Sequence, residues 1–213
     1  MSTWAGTLSM FITFEGIEGC GKTTQIRLLT EDLTRRGLDC IATREPGGTK
    51  IGEAIRAIFL HCAHDTMLPM TELLLVTAAR IQHVEEVIKP NLQAGKIILC
   101  DRYVDATAAY QGFAAGLGLE NVMRSHAIFV EALMPDITIL LDCPVDLGLT
   151  RSRERNHAAG VPVEPPGGAL RFLPPGGIEN QRHAVAGAAA GLGELHLAGG
   201  QHPRWRVDGD MRE

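Results

Sequence analysis

The stretch FEGIEGCGKTTQ, Phe14 to Gln25, decides how the rest of the chain is read. It fits the pattern G-x-x-x-x-G-K-[ST] at Gly16, Gly21, Lys22 and Thr23, the spacing of a phosphate-binding loop. Glycines let backbone N–H groups converge on an anion, and a helix starting near Lys22 aims the positive end of its dipole at the same point. The context agrees. MFITF (10–14) is a short apolar run of the kind that forms a buried strand, and Ile26, Leu29 and Leu33 recur after the loop at helical spacing, with Gly37 as a stop. A nucleoside triphosphate is the expected ligand of Gly16, Ile17, Glu18, Gly19, Cys20, Gly21, Lys22, Thr23 and Thr24. Lys22 reaches the β- and γ-phosphates, and the Thr23 hydroxyl is suited to Mg²⁺.

Working outward, DCIATRE (39–45) reads as a second strand, which makes strand, helix and strand a parallel βαβ unit. Helical patterns then cover 51–60 and 71–94, the latter with a kink expected near Pro90. KIILCD (96–101) is a third strand, helical patterns follow at 106–111 and 121–133, and DITILLD (136–142) is a fourth strand. A strongly basic helix opens at LGLTRSRER (147–155). The alternation predicts an α/β fold: a three-layer parallel sheet of about five strands with helices on both faces and the working edge at the strand C-termini. Residues 1–9 read as an N-terminal extension and 10–213 as one domain.

Beyond about His157 the pattern weakens. PPGG occurs at Pro165 and again at Pro174, followed by AVAGAAAGLGELHLAGG (184–200), whose glycines each cost a helix about 1 kcal/mol relative to alanine. Two readings stay open for this atypical tail at about 165–200: a lid (about 151–177) running into a weak helix, or a segment whose coding frame has been altered. RWRVDGD (204–210) is a candidate last strand.

The 213 residues suffice for one ample core, with 45% hydrophobic and 21% charged residues. The net charge of −5 gives no support for nucleic-acid or anionic-membrane binding, so positive charge for phosphates must be concentrated locally. Five scattered cysteines without a C-x-x-C pair suit reduced thiols in the cytoplasm. HCAHD (61–65) has no second ligand pair at zinc-like spacing and reads as a polar transition out of a helix. No apolar run reaches the roughly 20 residues of a membrane span, and the N-terminus lacks a signal-peptide pattern.

GTPase signatures are missing: there is no N-K-x-D, and DRY (101–103) follows the third strand in place of D-x-x-G. Asp101 can join the Mg²⁺ shell, and the planar fork of Arg102 suits a second phosphate group. At this point the residues resemble bacterial thymidylate kinases. FEGIEGCGKTT, TREPGGT (43–49), ELLLVTAARIQHVEEVIKPNLQAG (72–95), DRY, AYQG (109–112) and LDCP (141–144) stand in family order, across residues 11 to 155.

The resemblance implies a P-loop kinase fold and transfer of the γ-phosphoryl group of ATP to dTMP, with magnesium as cofactor. By the same resemblance Glu18 lies near the sugar 3′-hydroxyl, Arg44, Glu45 and Pro46 border the acceptor, and Arg80 hydrogen-bonds its base. Arg102 holds its phosphate, Tyr110 crowds a ribose 2′-hydroxyl, and Gln111 reads the pyrimidine edge. Arg151, Arg153 and Arg155 match the lid; spaced by two, they cannot all share one helical face. The loop itself carries no arginine, so transition-state charge falls to one of these three. Val76 stands where the family usually stacks a phenylalanine on thymine, a loss of about 1 kcal/mol, and Ala106 where a hydroxyl residue is common. A homodimer through the long helices is implied as well. Two other readings remain at this stage: a kinase for another deoxynucleoside monophosphate, or a nucleotide-binding protein whose tail impairs turnover.

Overall fold

The computed structural model describes residues 9–61, 67–158 and 205–208. Its strands are β1 (Met10–Glu15), β2 (Cys40–Arg44), β3 (Ile97–Asp101), β4 (Ile137–Asp142) and β5 (Trp205–Asp208), all parallel in the order β2-β3-β1-β4-β5. β3 therefore lies between the two strands of the expected βαβ unit. The chain steps to opposite sides of β1, which puts a crevice at that strand's carboxyl end. The register sets Phe14 and Arg44 on either side of Asp101, so the candidate residues at the strand ends are neighbours by backbone pairing alone.

Alternating side chains divide the core. Phe11, Ile98 and Cys100 face one helical layer with Leu73, Val84, Ile88 and Val122. Ile12, Phe14, Ile97 and Leu99 face the other, where Ile26 is buried and Leu29 and Leu33 pack. That second layer is α1 (Lys22–Arg35). The first is built from α3 (Pro69–His83) and α6 (Leu119–Phe129), with α2 (Lys50–His61) packed beside α3. Burying each such side chain contributes about 1.5–3 kcal/mol, and both sheet faces are covered, as a parallel sheet requires.

Three expected helices differ from the pattern. The long one (71–94) is three consecutive pieces: α3, a π-helical stretch at Val84–Ile88, and α4 (Lys89–Gln93). Pro90 accounts for the change, because its ring lacks an N–H and crowds the carbonyl one turn back; a wider turn relieves both without ending the rod. Asn91 Nδ2 donates to the Val87 carbonyl at 2.7 Å in the same stretch. The expected helix at 121–133 stops at Phe129, and Glu131 and Ala132 adopt positive φ (53° each). Leu133 and Met134 still pack on the core, so the apolar pattern outlasts the helix. The short helix expected at 106–111 is α5 (Val104–Thr107) continuing as a π-helical stretch, Ala108–Ala114. The basic helix is α7 (Val145–Ala158), the described part of the expected lid. The remainder of the lid and the atypical tail lie outside the described residues, as do residues 1–8 and most of HCAHD.

Candidate active site

The glycine loop joins β1 to α1 as expected. Gly16, Gly19 and Gly21 take φ of 137°, 73° and 98°, values that L side chains rarely adopt. Space enforces the choice at two of them. A Cβ on Gly16 would lie 2.4 Å from the Leu141 carbonyl oxygen, and one on Gly19 would lie 2.0 Å from the Gly148 carbonyl oxygen. The loop is thus pressed between the end of β4 and the first turn of α7. Lys22 is buried at 7% exposure, and its Nζ donates to the Gly16 and Ile17 carbonyls, both at 2.9 Å. Burial, then the nearby Arg102, lowers its pKa.

Thr23 lies in the first turn of α1 and its hydroxyl donates to Asp101 Oδ2 at 3.1 Å. The other carboxylate oxygen, Oδ1, is buried with no hydrogen-bond partner among the described residues. A hydroxyl and a carboxylate with an uncommitted oxygen form a hard-oxygen donor pair of the kind magnesium takes. The structure therefore fits the expected metal pair Thr23 and Asp101. No cluster of three or more His, Cys, Asp or Glu suited to a metal occurs among the described residues.

Arg102 follows β3 with a left-handed φ of 73°, its N–H donating to the Phe14 carbonyl at 3.0 Å. Its guanidinium donates to Tyr110 Oη at 3.2 Å and sits 5.4 Å from that ring's centre. Burial opposes its charge, but Tyr110, Glu15 and Asp101 outweigh this and raise its pKa. Arg44 forms an exposed ion pair with Glu53 at 2.9 Å. Arg56, which the motifs did not flag, donates to the Pro46 carbonyl at 3.1 Å. Its pKa is lowered by partial burial, then by Arg44 and more weakly by Arg102, against the raising effects of Glu53 and Asp101. Three arginines from β2, α2 and the end of β3 thus share one region. The signal for Arg56 is a single cation inside the apolar run IGEAIRAIFL (51–60).

Arg80 is 3% exposed and lies one helical turn beyond Val76 on α3. Its Nε donates to Glu45 Oε2 and its Nη2 to Thr107 Oγ1, each at 2.7 Å. Glu45 Oε1 pairs with His83 Nδ1 at 2.9 Å. Burial opposes ionisation of Glu45, yet Arg80 and His83 hold its carboxyl below the usual range. Both of its oxygens are therefore hydrogen-bonded within the fold, one to Arg80 and one to His83. Gln111 is 5% exposed, Tyr110 and Val76 are half-buried, and Ala106 is buried in α5.

Glu18 accepts from Ser152 Oγ at 3.2 Å, and Arg155 Nη2 donates to the same hydroxyl at 3.3 Å. Helical spacing then sorts the basic run. Gly148, Arg151, Ser152 and Arg155 fall on one face of α7, the face that meets the loop, and Arg153 projects from the other. Ser152 and Gly148 are invisible to motif reading because neither is a chemically distinctive residue.

A triphosphate cradle on one side, a second cationic pocket reached from β2, α2 and α3 on the other, and a basic helix across the loop define a P-loop kinase of small phosphorylated acceptors. The thymidylate kinase family model matches residues 14–161. Similar chains include the thymidylate kinases of Geotalea uraniireducens, 52% identical over 74% of this chain and 74% of that one, and Geotalea daltonii, 55% identical over 70% and 69%. A crystal structure of thymidylate kinase from Ehrlichia chaffeensis superposes with a TM-score of 0.68 at 28% identity, over 95% of this chain and 88% of that one. The chain belongs to the thymidylate kinase family.

Proposed function

We propose that the site performs its family's reaction, ATP-dependent phosphorylation of dTMP, with the residues in the following roles. A phosphate oxygen of dTMP forms a bond to the γ-phosphorus of ATP as the bond from that phosphorus to the β–γ bridging oxygen breaks, giving dTDP and ADP. There is little covalent chemistry for side chains, so positioning and charge stabilisation carry the rate. Lys22 turns from its loop carbonyls onto the β- and γ-phosphates, and the loop N–H groups hold the remaining oxygens. Thr23 and Asp101 would hold magnesium, which when bound would supply charge neutralisation to the triphosphate. Arg102, held by Tyr110, with Arg44 and Arg56 beside it, takes the acceptor phosphate. Arg80 faces the base with Val76 and Gln111, Tyr110 crowds the sugar 2′ position, and Glu18 faces the acceptor sugar. Arg155, and after it Arg151, meets the transferring group from the lid.

The observation that carries this reading is the buried, partner-less Asp101 Oδ1 between Thr23 and Arg102, where donor and acceptor halves meet. A coupled ADP-release assay across dTMP, dUMP, dCMP, dGMP and AMP tests it. Turnover confined to dTMP is expected; turnover confined to another acceptor overturns the base assignment, and nucleotide binding without turnover overturns the catalytic one. Val76 offers no π-face, so a looser preference for thymine than a stacked phenylalanine gives, by about 1 kcal/mol, is expected in the same assay.

We also read the chain as a cytoplasmic homodimer with no nucleic-acid or membrane partner. No helix among the described residues is long and apolar enough to cross a membrane. Leu60, Leu68, Met70 and Leu74 expose apolar surface around α2 and α3, which supports pairing through those helices. A solution mass equal to one chain would refute the dimer.

A further inference from the structure

One largely buried chain of polar groups runs behind the acceptor pocket, and its second member, His83, has no part in the phosphoryl transfer itself. Thr43 Oγ1 meets His83 Nε2 at 2.7 Å, His83 Nδ1 meets Glu45 Oε1 at 2.9 Å, and Glu45 Oε2 and Thr107 Oγ1 each receive the Arg80 guanidinium at 2.7 Å. His83, Glu45, Arg80 and Thr107 are 0%, 4%, 3% and 2% exposed, so water cannot replace the links among these four. We propose that His83 is a positioning residue for base selection, fixing through Glu45 the plane in which Arg80 presents its guanidinium. The inference rests on the reading of Arg80 as the base-facing arginine.

The geometry explains why a histidine suits the place. A guanidinium is planar and directional, so its value to a base depends on its orientation. Thr107 anchors one edge, and the Tyr103 ring lies 4.8 Å from the guanidinium carbon. The remaining anchor is the Glu45 carboxylate, whose own rotation is open unless the second oxygen is held. His83 holds it. A ring with the proton on Nδ1 donates to Glu45 and accepts from the Thr43 hydroxyl, which satisfies both bonds with one tautomer. The ring cannot shift, because Gly48 lies against it: a Cβ at Gly48 would come within 2.7 Å of both Cδ2 and Nε2. The histidine therefore ties β2, the loop after it and α3 into one fixed backing for Arg80.

A guanidinium only donates, so it favours a carbonyl edge over an amino edge, and dTMP against dCMP is the informative pair. Steady-state kinetics on the full chain with ATP should compare Arg80→Lys, His83→Leu, His83→Asn and Thr43→Val, each checked for a cooperative melt. His83→Leu is expected to raise KM for dTMP about ten-fold, narrow the dTMP/dCMP ratio of kcat/KM, and leave KM for ATP unchanged. His83→Asn, whose amide can still donate towards Glu45, should recover part of the loss. Should the leucine variant fail to fold, Thr43→Val reads the same two quantities without disturbing core volume. Unchanged dTMP KM and unchanged selectivity in the folded variants, while Arg80→Lys alters both, would overturn the role of His83 and leave Arg80 standing. No effect from Arg80→Lys would instead remove the base-facing reading on which the role depends. Equal losses toward dTMP and ATP would mark His83 as merely structural and overturn the proposal too.

Discussion

The proposed donor and acceptor halves of the site are built from different materials. The donor half is backbone: glycines with positive φ, pressed against Leu141 and Gly148, present N–H groups and one lysine. The acceptor half is side chains, drawn from β2, α2, α3 and the turn after β3, and held by bonds of 2.7–2.9 Å in a water-free setting. The difference follows from the ligands. A triphosphate is the same in every nucleotide and needs only converging dipoles. A particular monophosphate must be told from its analogues, which takes buried polar groups whose misuse is costly.

If that division holds, the largest effect belongs to Lys22→Ala. It removes the lysine of the glycine loop, and kcat should fall by about 10³-fold or more, with a cooperative melt retained. Undiminished turnover would break the comparison at its donor side. Next comes Arg102→Lys, which keeps the charge but loses the planar fork and the bond to Tyr110. A loss of about 10²-fold in kcat/KM for dTMP, roughly 2.7 kcal/mol, is expected. KM for ATP should move less than two-fold, about 0.4 kcal/mol; equal losses on both substrates would show the halves are not separable. A third test uses the lid. Arg155→Ala should lower kcat by about ten- to a hundred-fold, whereas Arg153→Ala, on the far face of α7, should leave it within two-fold. A reversed order would show that the helix face meeting the loop is not the one meeting phosphate.

The same division explains which features are legible in the amino-acid sequence. The loop, its strand and its helix are legible because a backbone cradle leaves a local spacing in the chain, Gly16 to Thr23. The parallel sheet is legible from alternating strand and helix patterns, although the insertion of β3 between β1 and β2 is not. Helix ends escape the pattern where packing outlasts the helix, at Leu133, or where Pro90 changes its pitch. The acceptor half comes only through resemblance. Glu45 is 35 residues from Arg80 and 38 from His83, and nothing local marks either as its partner, or Arg56 as a third cation.

The smallest effect on turnover concerns the seam between the halves, where Glu15 ends β1 and starts the loop. It is fully buried, and its Oε1 accepts the Tyr103 N–H at 2.7 Å, fastening the turn that carries Arg102. Burial, then the nearby Asp105, raises its pKa to about 8, against the lowering effects of Arg102, the Tyr103 N–H and Lys22. Between the ordinary value of 4.5 and about 8, the unfolded chain has given up this proton while the folded chain keeps it. Stability contributed by this group therefore falls as pH rises through that window, by at most about 1.4 kcal/mol per unit, and is level above it. Glu15→Gln keeps the acceptor for Tyr103 and removes the titration. Urea melts at pH 5, 6.5 and 8 should show the variant gaining on the parent steadily with pH, with Arg102 still competent for dTMP at pH 7. Parallel profiles would mean that Glu15 is already ionised in the fold, held by Lys22 and Arg102, and that the two halves share a charge at the seam instead of a neutral hydrogen bond.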